Sequence, residues 1–182
     1  MPEEVGGDIR LATFNVLNYF NGDGAGNGFP TSRGASTAVE FAKQRDKIIA
    51  AIAAMNADLV GLLEIENDGF AEQSAIADLV RGLNEKAGAD VWAFVDFNVA
   101  QVGTDEITSA IVYREDKVVQ TGVAAIGNAA PFDYGNRPLI SQSFKLEQSG
   151  ELLNFTVVHL KSKGSCPRDK SDLANSDSGD GQ

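Results

Sequence analysis

The chain has 182 residues, of which 43% are hydrophobic and 23% charged, and this composition is typical of one soluble globular domain with a hydrophobic core. Its net charge of −11 argues against passive nucleic-acid binding, which usually needs a basic surface, but is compatible with a site where divalent cations offset phosphate charge. Apolar runs of about 18 residues are absent, so neither a transmembrane helix nor a membrane partner is expected. The single cysteine, Cys166, excludes an internal disulfide and a Cys-rich zinc site.

The first third of the sequence predicts a strand, a long loop and a helix. Residues 9–16 alternate as in a strand, and residues 18–34 are rich in Gly, Asn and Asp, as in a loop. Thr37 and Glu40 have the spacing of a capping box, which predicts a helix from this point to about Met55. Apolar residues at helical spacing predict the buried face of this helix: Ala38, Phe41, Ile48, Ile52 and Met55.

A second strand and helix follow, and strands then predominate. Residues 59–65 form a short apolar run typical of a buried strand, and residues 71–87 predict a helix that ends at Gly88. Further strands are predicted at residues 91–96, 109–113, 117–126, 141–146 and 152–160. Helices between the early strands, followed by several strands in succession, favour an α/β protein in which sheets pack on each other with helices outside.

Polar side chains occupy the ends of several predicted strands. Asn15, Glu64 and His159 end apolar strands, and Arg137 comes just before one. Such groups emerge at the rim of a sheet, where open α/β folds build their sites. A carboxylate, an amide and an imidazole at one rim suit magnesium and phosphate, because magnesium needs only one or two carboxylates besides phosphate oxygens and water. Each residue alone is a weak signal, since a single Glu or His after a strand is more often solvated or structural.

Five segments, in this order and spacing, resemble the endonuclease/exonuclease/phosphatase superfamily. They are Leu11–Asn18, Asp58–Asn67, Gly103–Ile107, Asn136–Leu139 and Val158–Gly164. Within them, residues 64–68 and 159–164 are similar to secreted bacterial extracellular nucleases. The resemblance implies that residues 8–160 form the N-terminal part of such a domain. Residues 161–182 have few apolar side chains and predict a polar loop or disordered tail.

The resemblance implies a four-layered α/β sandwich, with two packed β-sheets flanked by helices, and a role for each of five residues. Glu64 would hold the catalytic metal together with Asn15, which would also orient the metal-bound phosphate. His159 would act at the scissile phosphate as acid–base partner or charge stabiliser. Arg137 would contact a phosphate oxygen, and Asp105 would support the catalytic site. The implied cofactor is magnesium, with manganese or calcium as alternatives, and the implied reaction is in-line attack of water on phosphorus.

The sequence departs from the pattern of the superfamily in its second half. The pattern has an Asp-x-Asn on a later strand, a further metal-site Asp and a final Asp-His pair, whereas His159 is the only histidine in these 182 residues. The simplest interpretation is that the sandwich is truncated here. On this interpretation, the isolated chain is expected to have little or no hydrolytic activity.

The expected substrate is a nucleic acid, DNA or RNA, because the motifs are similar to those of extracellular nucleases. Phospholipid head groups and inositol phosphates are the alternatives within the superfamily. A second hypothesis is a non-catalytic secreted binding module with a degenerate site, although the presence of both Glu64 and His159 favours an enzyme. An extracellular or periplasmic location follows from the resemblance alone, since the first residues lack the pattern of a signal peptide. The oligomeric state is left open.

Overall fold

Two β-sheets packed face to face form the centre of the fold. The computed structural model describes residues 6–130, 132 and 137–160. Their helices and strands are, in chain order, β1 (Leu11–Tyr19), α1 (Ala38–Met55), β2 (Leu59–Glu66), α2 (Ala75–Ala87), β3 (Trp92–Phe94), β4 (Ile107–Arg114), β5 (Val118–Gly127), β6 (Leu139–Leu146) and β7 (Leu152–Val157).

The two sheets differ in their connections. The first has the order β1-β2-β4-β3, in which β1 and β2 are parallel while β4 is antiparallel to both β2 and β3. The second has the order β5-β6-β7 and is antiparallel throughout. In the first sheet, the carboxyl ends of β1 and β2 therefore lie at the same edge as the start of β4.

Strand β2 is covered on both of its faces. Val60 and Leu62 pack with α1 and α2, whereas Leu59 and Leu63 face the second sheet. Burial on both faces explains why this strand is a continuous apolar run in the sequence. The predicted architecture of packed sheets with helices outside is confirmed. In the described part of the chain both helices lie on the first sheet, so three of the four predicted layers are seen.

Helix α1 begins where the capping box predicts. The Thr37 hydroxyl accepts a hydrogen bond from the Glu40 backbone N–H at 3.2 Å, and the Glu40 carboxylate accepts one from the Ser36 N–H at 2.9 Å. The predicted buried face differs from the structure at two residues: Ala38 lies in the first turn and is exposed, and Ile49, which was not predicted, is buried. Within the described residues, neither helix has the length and apolar character needed to cross a bilayer.

Helix α2 is shorter than predicted at its N-terminus. It begins after Ser74, whose hydroxyl caps the first turn, and not at residue 71. Its end agrees with the prediction, because Gly88 follows the last turn with a φ of +71°, a conformation that glycine adopts without strain.

The ends of several strands also differ from the prediction. Strands β4 and β6 each begin two residues earlier than predicted, at Ile107 and Leu139, and β3 ends two residues earlier, at Phe94. Strand β1 continues to Tyr19 rather than ending at residue 16. Residues 16–18 leave the register with β2, and pairing resumes at Tyr19. Strand β7 ends at Val157, so His159 follows the strand instead of lying within it. The predicted tail at residues 161–182, with Cys166, lies outside the described residues.

Tyr19 links β1 to both helices. Its hydroxyl donates to the Asp78 carboxylate of α2 at 2.6 Å, and the same carboxylate oxygen accepts a hydrogen bond from Arg45 Nε of α1 at 3.0 Å. This half-buried cluster fixes the helices relative to the strand that carries Asn15.

Candidate functional site

Facing β-bulges interrupt β1 and β2 near their carboxyl ends. The two strands leave register after Asn15 and regain it at Tyr19, with residues 16–18 of β1 opposite Glu64 alone in β2. Glu64 has a φ of +67°, in the left-handed region that is uncommon for residues other than glycine. A bulge re-aims the side chain that it carries. Glu64 is therefore presented from a distorted point within β2, which continues to Glu66.

Asn15 holds the Glu64 carboxylate in place. Its side-chain nitrogen donates to Glu64 Oε1 at 2.7 Å, and its side-chain oxygen accepts a hydrogen bond from the Leu17 backbone N–H at 2.8 Å. The amide orientation follows from the second bond, because a backbone N–H can only donate. The oxygen of Asn15 is thus engaged by Leu17, and its nitrogen by Glu64 Oε1.

His159 faces Glu64 from the other sheet. Its Nε2 lies 3.8 Å from Glu64 Oε1, and the His159 side chain is only 13% exposed. Burial and the nearby Arg137 lower the pKa of His159 below its ordinary value, against the smaller opposing effects of Glu64 and Asp105. Burial and Arg137 thus favour the neutral form of the imidazole. Its Nδ1 is buried and has no hydrogen-bond partner among the described residues.

Asp105 lies between two arginines just before β4. One of its carboxylate oxygens is 2.9 Å from the guanidinium of Arg137, and the other is 3.1 Å from that of Arg33. Arg33 also pairs with Glu106 at 2.8 Å. The structure therefore joins Asp105 to Arg137 in one half-buried ion-pair cluster. Arg33 was not predicted as a site residue.

A tight turn presents Arg33 to this cluster. The Thr31 hydroxyl accepts a hydrogen bond from the Gly34 N–H at 3.1 Å. A Cβ atom at position 34 would lie 2.8 Å from Phe20 Cβ and 2.9 Å from the Asn18 carbonyl oxygen, so only glycine fits there. The position of Arg33 in a glycine-rich loop, directly before this Gly34, is the one sequence signal for its role.

Asn67 fixes the loop that carries Asp105. It is 4% exposed, its side-chain nitrogen donates to the carbonyl oxygens of Val102 and Asp105, and its side-chain oxygen accepts a hydrogen bond from the Val102 N–H. Buried amides that are fully hydrogen-bonded make such loops rigid. Asn67 was not predicted as a site residue either, although an asparagine directly after an apolar run is a recognisable signal in the sequence.

The surroundings of the site are acidic. Burial, helped by the charges of Asp68 and Glu106, raises the pKa of Glu66 to about 7, although the Asn21 N–H donates to its carboxylate and opposes the shift. The carboxylates of Glu64, Glu66, Asp105 and Glu106 outnumber the guanidinium groups of Arg33 and Arg137 here, so a bound cation would lessen the repulsion of a phosphate. The described residues include no group of three or more His, Cys, Asp or Glu side chains placed to hold a metal. Glu64 is the carboxylate of this group that could hold a hard divalent cation, whose further ligands would be water and phosphate oxygens.

The structure thus gathers the residues that the sequence places at strand ends. Asn15, Glu64 and His159 form one contact group, and Asp105 and Arg137 form an adjoining one. Their individual roles stay predictions.

No protein-family model and no curated protein matches the sequence. Among solved structures, the chain is similar to the human Nocturnin catalytic domain with bound sulfate anion, with a TM-score of 0.53 and 17% identity over 86% of this chain and 51% of that one. It is also similar to an endonuclease/exonuclease/phosphatase family protein from Bacteroides thetaiotaomicron, with a TM-score of 0.50 and 15% identity over 85% and 52%. The chain therefore has the sandwich fold of these structures and spans about half their length.

Proposed function

We propose that the chain contributes the metal- and phosphate-binding part of a divalent-metal-dependent phosphodiesterase whose substrate is a nucleic acid. The observation that carries the proposal is the group formed by Glu64, Asn15 and His159, in which a carboxylate on a strained backbone is held by an amide and faced by a mostly buried imidazole. Backbone strain of this kind costs about 1–3 kcal/mol and is concentrated at functional sites.

Glu64 would hold the metal, with magnesium as the first choice and manganese or calcium as alternatives. A bound magnesium ion would polarise a phosphoryl oxygen and neutralise charge as water attacks phosphorus. Asn15 would act by keeping the Glu64 carboxylate in one orientation, since its own oxygen is bonded to the Leu17 N–H. Partners that orient a ligand in this way typically change metal affinity about 10- to 100-fold.

His159 and Arg137 would act on the phosphate. In its neutral form, His159 would accept a proton at one ring nitrogen and donate a hydrogen bond from the other. Arg137 keeps Nη2 on Asp105, which would hold its guanidinium group in place to contact a phosphate oxygen. Asp105 would thus orient Arg137 and Arg33 without contacting the substrate itself.

Several features support nucleic acid as the substrate class. The motifs around Glu64 and His159 are similar to those of bacterial extracellular nucleases, and Arg33 and Arg137 flank one carboxylate and could contact neighbouring phosphates of one strand. An extracellular or periplasmic location is part of the same proposal. The alternatives are a phospholipid or inositol-phosphate phosphodiesterase, and a binding module without catalysis.

Calorimetric titration with MgCl₂ and with MnCl₂ tests the metal site. Glu64→Gln is expected to lower the metal affinity about tenfold or more, whereas Glu147→Gln, an exposed glutamate in the hairpin after β6, should bind as the wild type does. Equal affinities for the wild type and Glu64→Gln would refute Glu64 as the metal ligand.

A labelled single-stranded oligonucleotide and bis(p-nitrophenyl) phosphate then separate the candidate functions. Metal-dependent cleavage of the oligonucleotide that is lost in His159→Ala supports the nuclease. Salt-dependent binding that requires neither Mg²⁺ nor Glu64 supports the binding module, because lack of cleavage alone is also expected of the N-terminal part of an enzyme. Hydrolysis of the small diester or of an inositol phosphate, with no oligonucleotide binding, supports the other phosphodiesterases.

A further inference from the structure

Gln44 of α1 reaches over the β1 bulge. Its side-chain nitrogen lies 3.1, 2.8 and 3.4 Å from the carbonyl oxygens of Val16, Leu17 and Asn18 in turn. These are the residues that have no pairing partner in β2. Backbone carbonyls that lose their strand partner need another donor. Here the two N–H groups of the Gln44 amide are shared among the three carbonyl oxygens.

The bulge that Gln44 bridges is strained. Leu17 and Asn18 have φ values of +54° and +52°, and neither is a glycine. Leu17 is 72% exposed, so packing of its side chain does not account for this conformation. Residues in such conformations persist only where the surrounding structure holds them, at about 1–3 kcal/mol each. The buried Val16 anchors the bulge on one side, and the Gln44 amide holds its carbonyl groups on the other.

The conformation of Leu17 determines the orientation of Asn15. The Leu17 N–H donates to the side-chain oxygen of Asn15, and this bond turns the nitrogen of the same amide toward Glu64. A relay of hydrogen bonds therefore runs from α1 through the bulge to the carboxylate. If the left-handed turn relaxed, the Leu17 N–H would leave Asn15, and the amide could rotate away from Glu64.

We infer that Gln44 is a positioning residue of the candidate site, which fixes Asn15 and through it Glu64. Only its last consequence, tighter metal binding, rests on the proposed function. Gln44 contacts neither Glu64 nor His159 in the described structure, so it acts through the bulge alone.

Gln44→Met tests the inference, because methionine keeps the length and helix propensity of glutamine and removes both N–H donors. Gln148→Leu, at an exposed position in the hairpin after β6, is the control for loss of a glutamine. The first measurement is amide hydrogen exchange by NMR without metal. In Gln44→Met the Leu17 N–H is expected to exchange about tenfold faster, while amides of β6 stay as protected as in the wild type.

The second measurement is Mg²⁺ affinity in a double-mutant cycle with Asn15→Ala. Gln44→Met should weaken binding about tenfold in the wild-type background and not further in the Asn15→Ala background. Unchanged Leu17 exchange, or an equal loss in both backgrounds, would overturn the positioning role. A wild-type chain that binds no Mg²⁺ but shows faster Leu17 exchange in Gln44→Met would refute the proposed metal site while supporting the link from Gln44 to Asn15.

Discussion

Asn15 and Glu64 lie on neighbouring parallel strands and are joined by a hydrogen bond of 2.7 Å from the side-chain nitrogen of Asn15 to Glu64 Oε1. Both residues adjoin bulges, and both are oriented by backbone that departs from regular strand geometry. The length and direction of this hydrogen bond therefore depend on the geometry of both bulges, so a change in either bulge alters the bond.

Replacing Asn15 should affect metal binding more than stability. Asn15→Ala removes the bond to the carboxylate but leaves an exposed position, so the expected loss is about 10- to 100-fold in Mg²⁺ affinity with less than about 1 kcal/mol in unfolding free energy. Calorimetry and urea denaturation measure the two effects. Asn154→Ala, on the outer face of the second sheet, is the matched control. A stability loss without any change in affinity would count against a role in the site.

The arginine pair around Asp105 should set the salt dependence of oligonucleotide binding. Each phosphate contact that is lost lowers the slope of log K against log salt by about 0.7 for a single strand. Arg137→Ala and Arg33→Ala should each reduce this slope, and Arg137→Ala should lower the affinity more, because Arg137 is the less exposed of the two. Fluorescence anisotropy at several salt concentrations measures both quantities.

Arg10 provides the control for this series. It lies before the start of β1, at the opposite end of the strand from Asn15, and binds the Asn56 carbonyl. Arg10→Ala should leave the slope unchanged. A slope that falls equally in all three variants would indicate that the oligonucleotide is attracted by the overall charge of the surface and that Arg33 and Arg137 form no specific phosphate site.

The sequence predicts the outline of the site because its signals are local. Asn15, Glu64 and His159 each interrupt or follow an apolar run, and strand ends meet at sheet edges in folds of this class. The pairing register of β1 and β2, by contrast, depends on residues that are far apart in the sequence. The bulge opposite Glu64, and hence the orientation of Asn15, arises from pairing between segments 49 residues apart. The contact of Arg33 with Asp105 is likewise a product of the folded chain, because the glycine-rich loop marks Arg33 in the sequence but does not show that it reaches Asp105.

The fold was predictable for a related reason. The apolar run of β2 requires cover on both faces, and the capping box fixes the start of α1. The extension of β1 and the shorter β7 were not predictable, because residues 16–18 and 158–160 are as apolar as their strands and end or interrupt pairing only in their tertiary setting.

Asp68 should make stability depend on pH. Its carboxylate accepts a hydrogen bond from the Ala75 N–H at the start of α2, yet burial raises the pKa of Asp68 above its ordinary value. Folding then favours the protonated acid, so its contribution to stability is fully present below the unfolded pKa and is lost as pH rises through the raised folded pKa. Asp68→Asn keeps an acceptor for Ala75 and removes a charge that is partly desolvated where it meets the start of α2.

The expected outcome is that Asp68→Asn gains stability relative to the wild type as pH rises from about 3 to 8, as measured by urea denaturation in metal-free buffer. Asp90→Asn, an exposed carboxylate after α2, should show no such trend. A difference between Asp68→Asn and the wild type that shrinks with rising pH would reverse the assigned sign.

Gly61 lets the two sheets approach each other beneath the site. A Cβ atom at position 61 would lie 2.7 Å from a methyl group of Val157, which precedes His159 by two residues. Gly61→Ala should therefore destabilise the protein by about 1–3 kcal/mol through overpacking. Adding Val157→Ala makes room for the new methyl group, so the double variant should lose less than the sum of the two single losses. Gly7→Ala, where the nearest atom is 3.9 Å away, should be neutral. Thermal unfolding measures all four variants, and strict additivity would show that the sheets are free to move apart at this point.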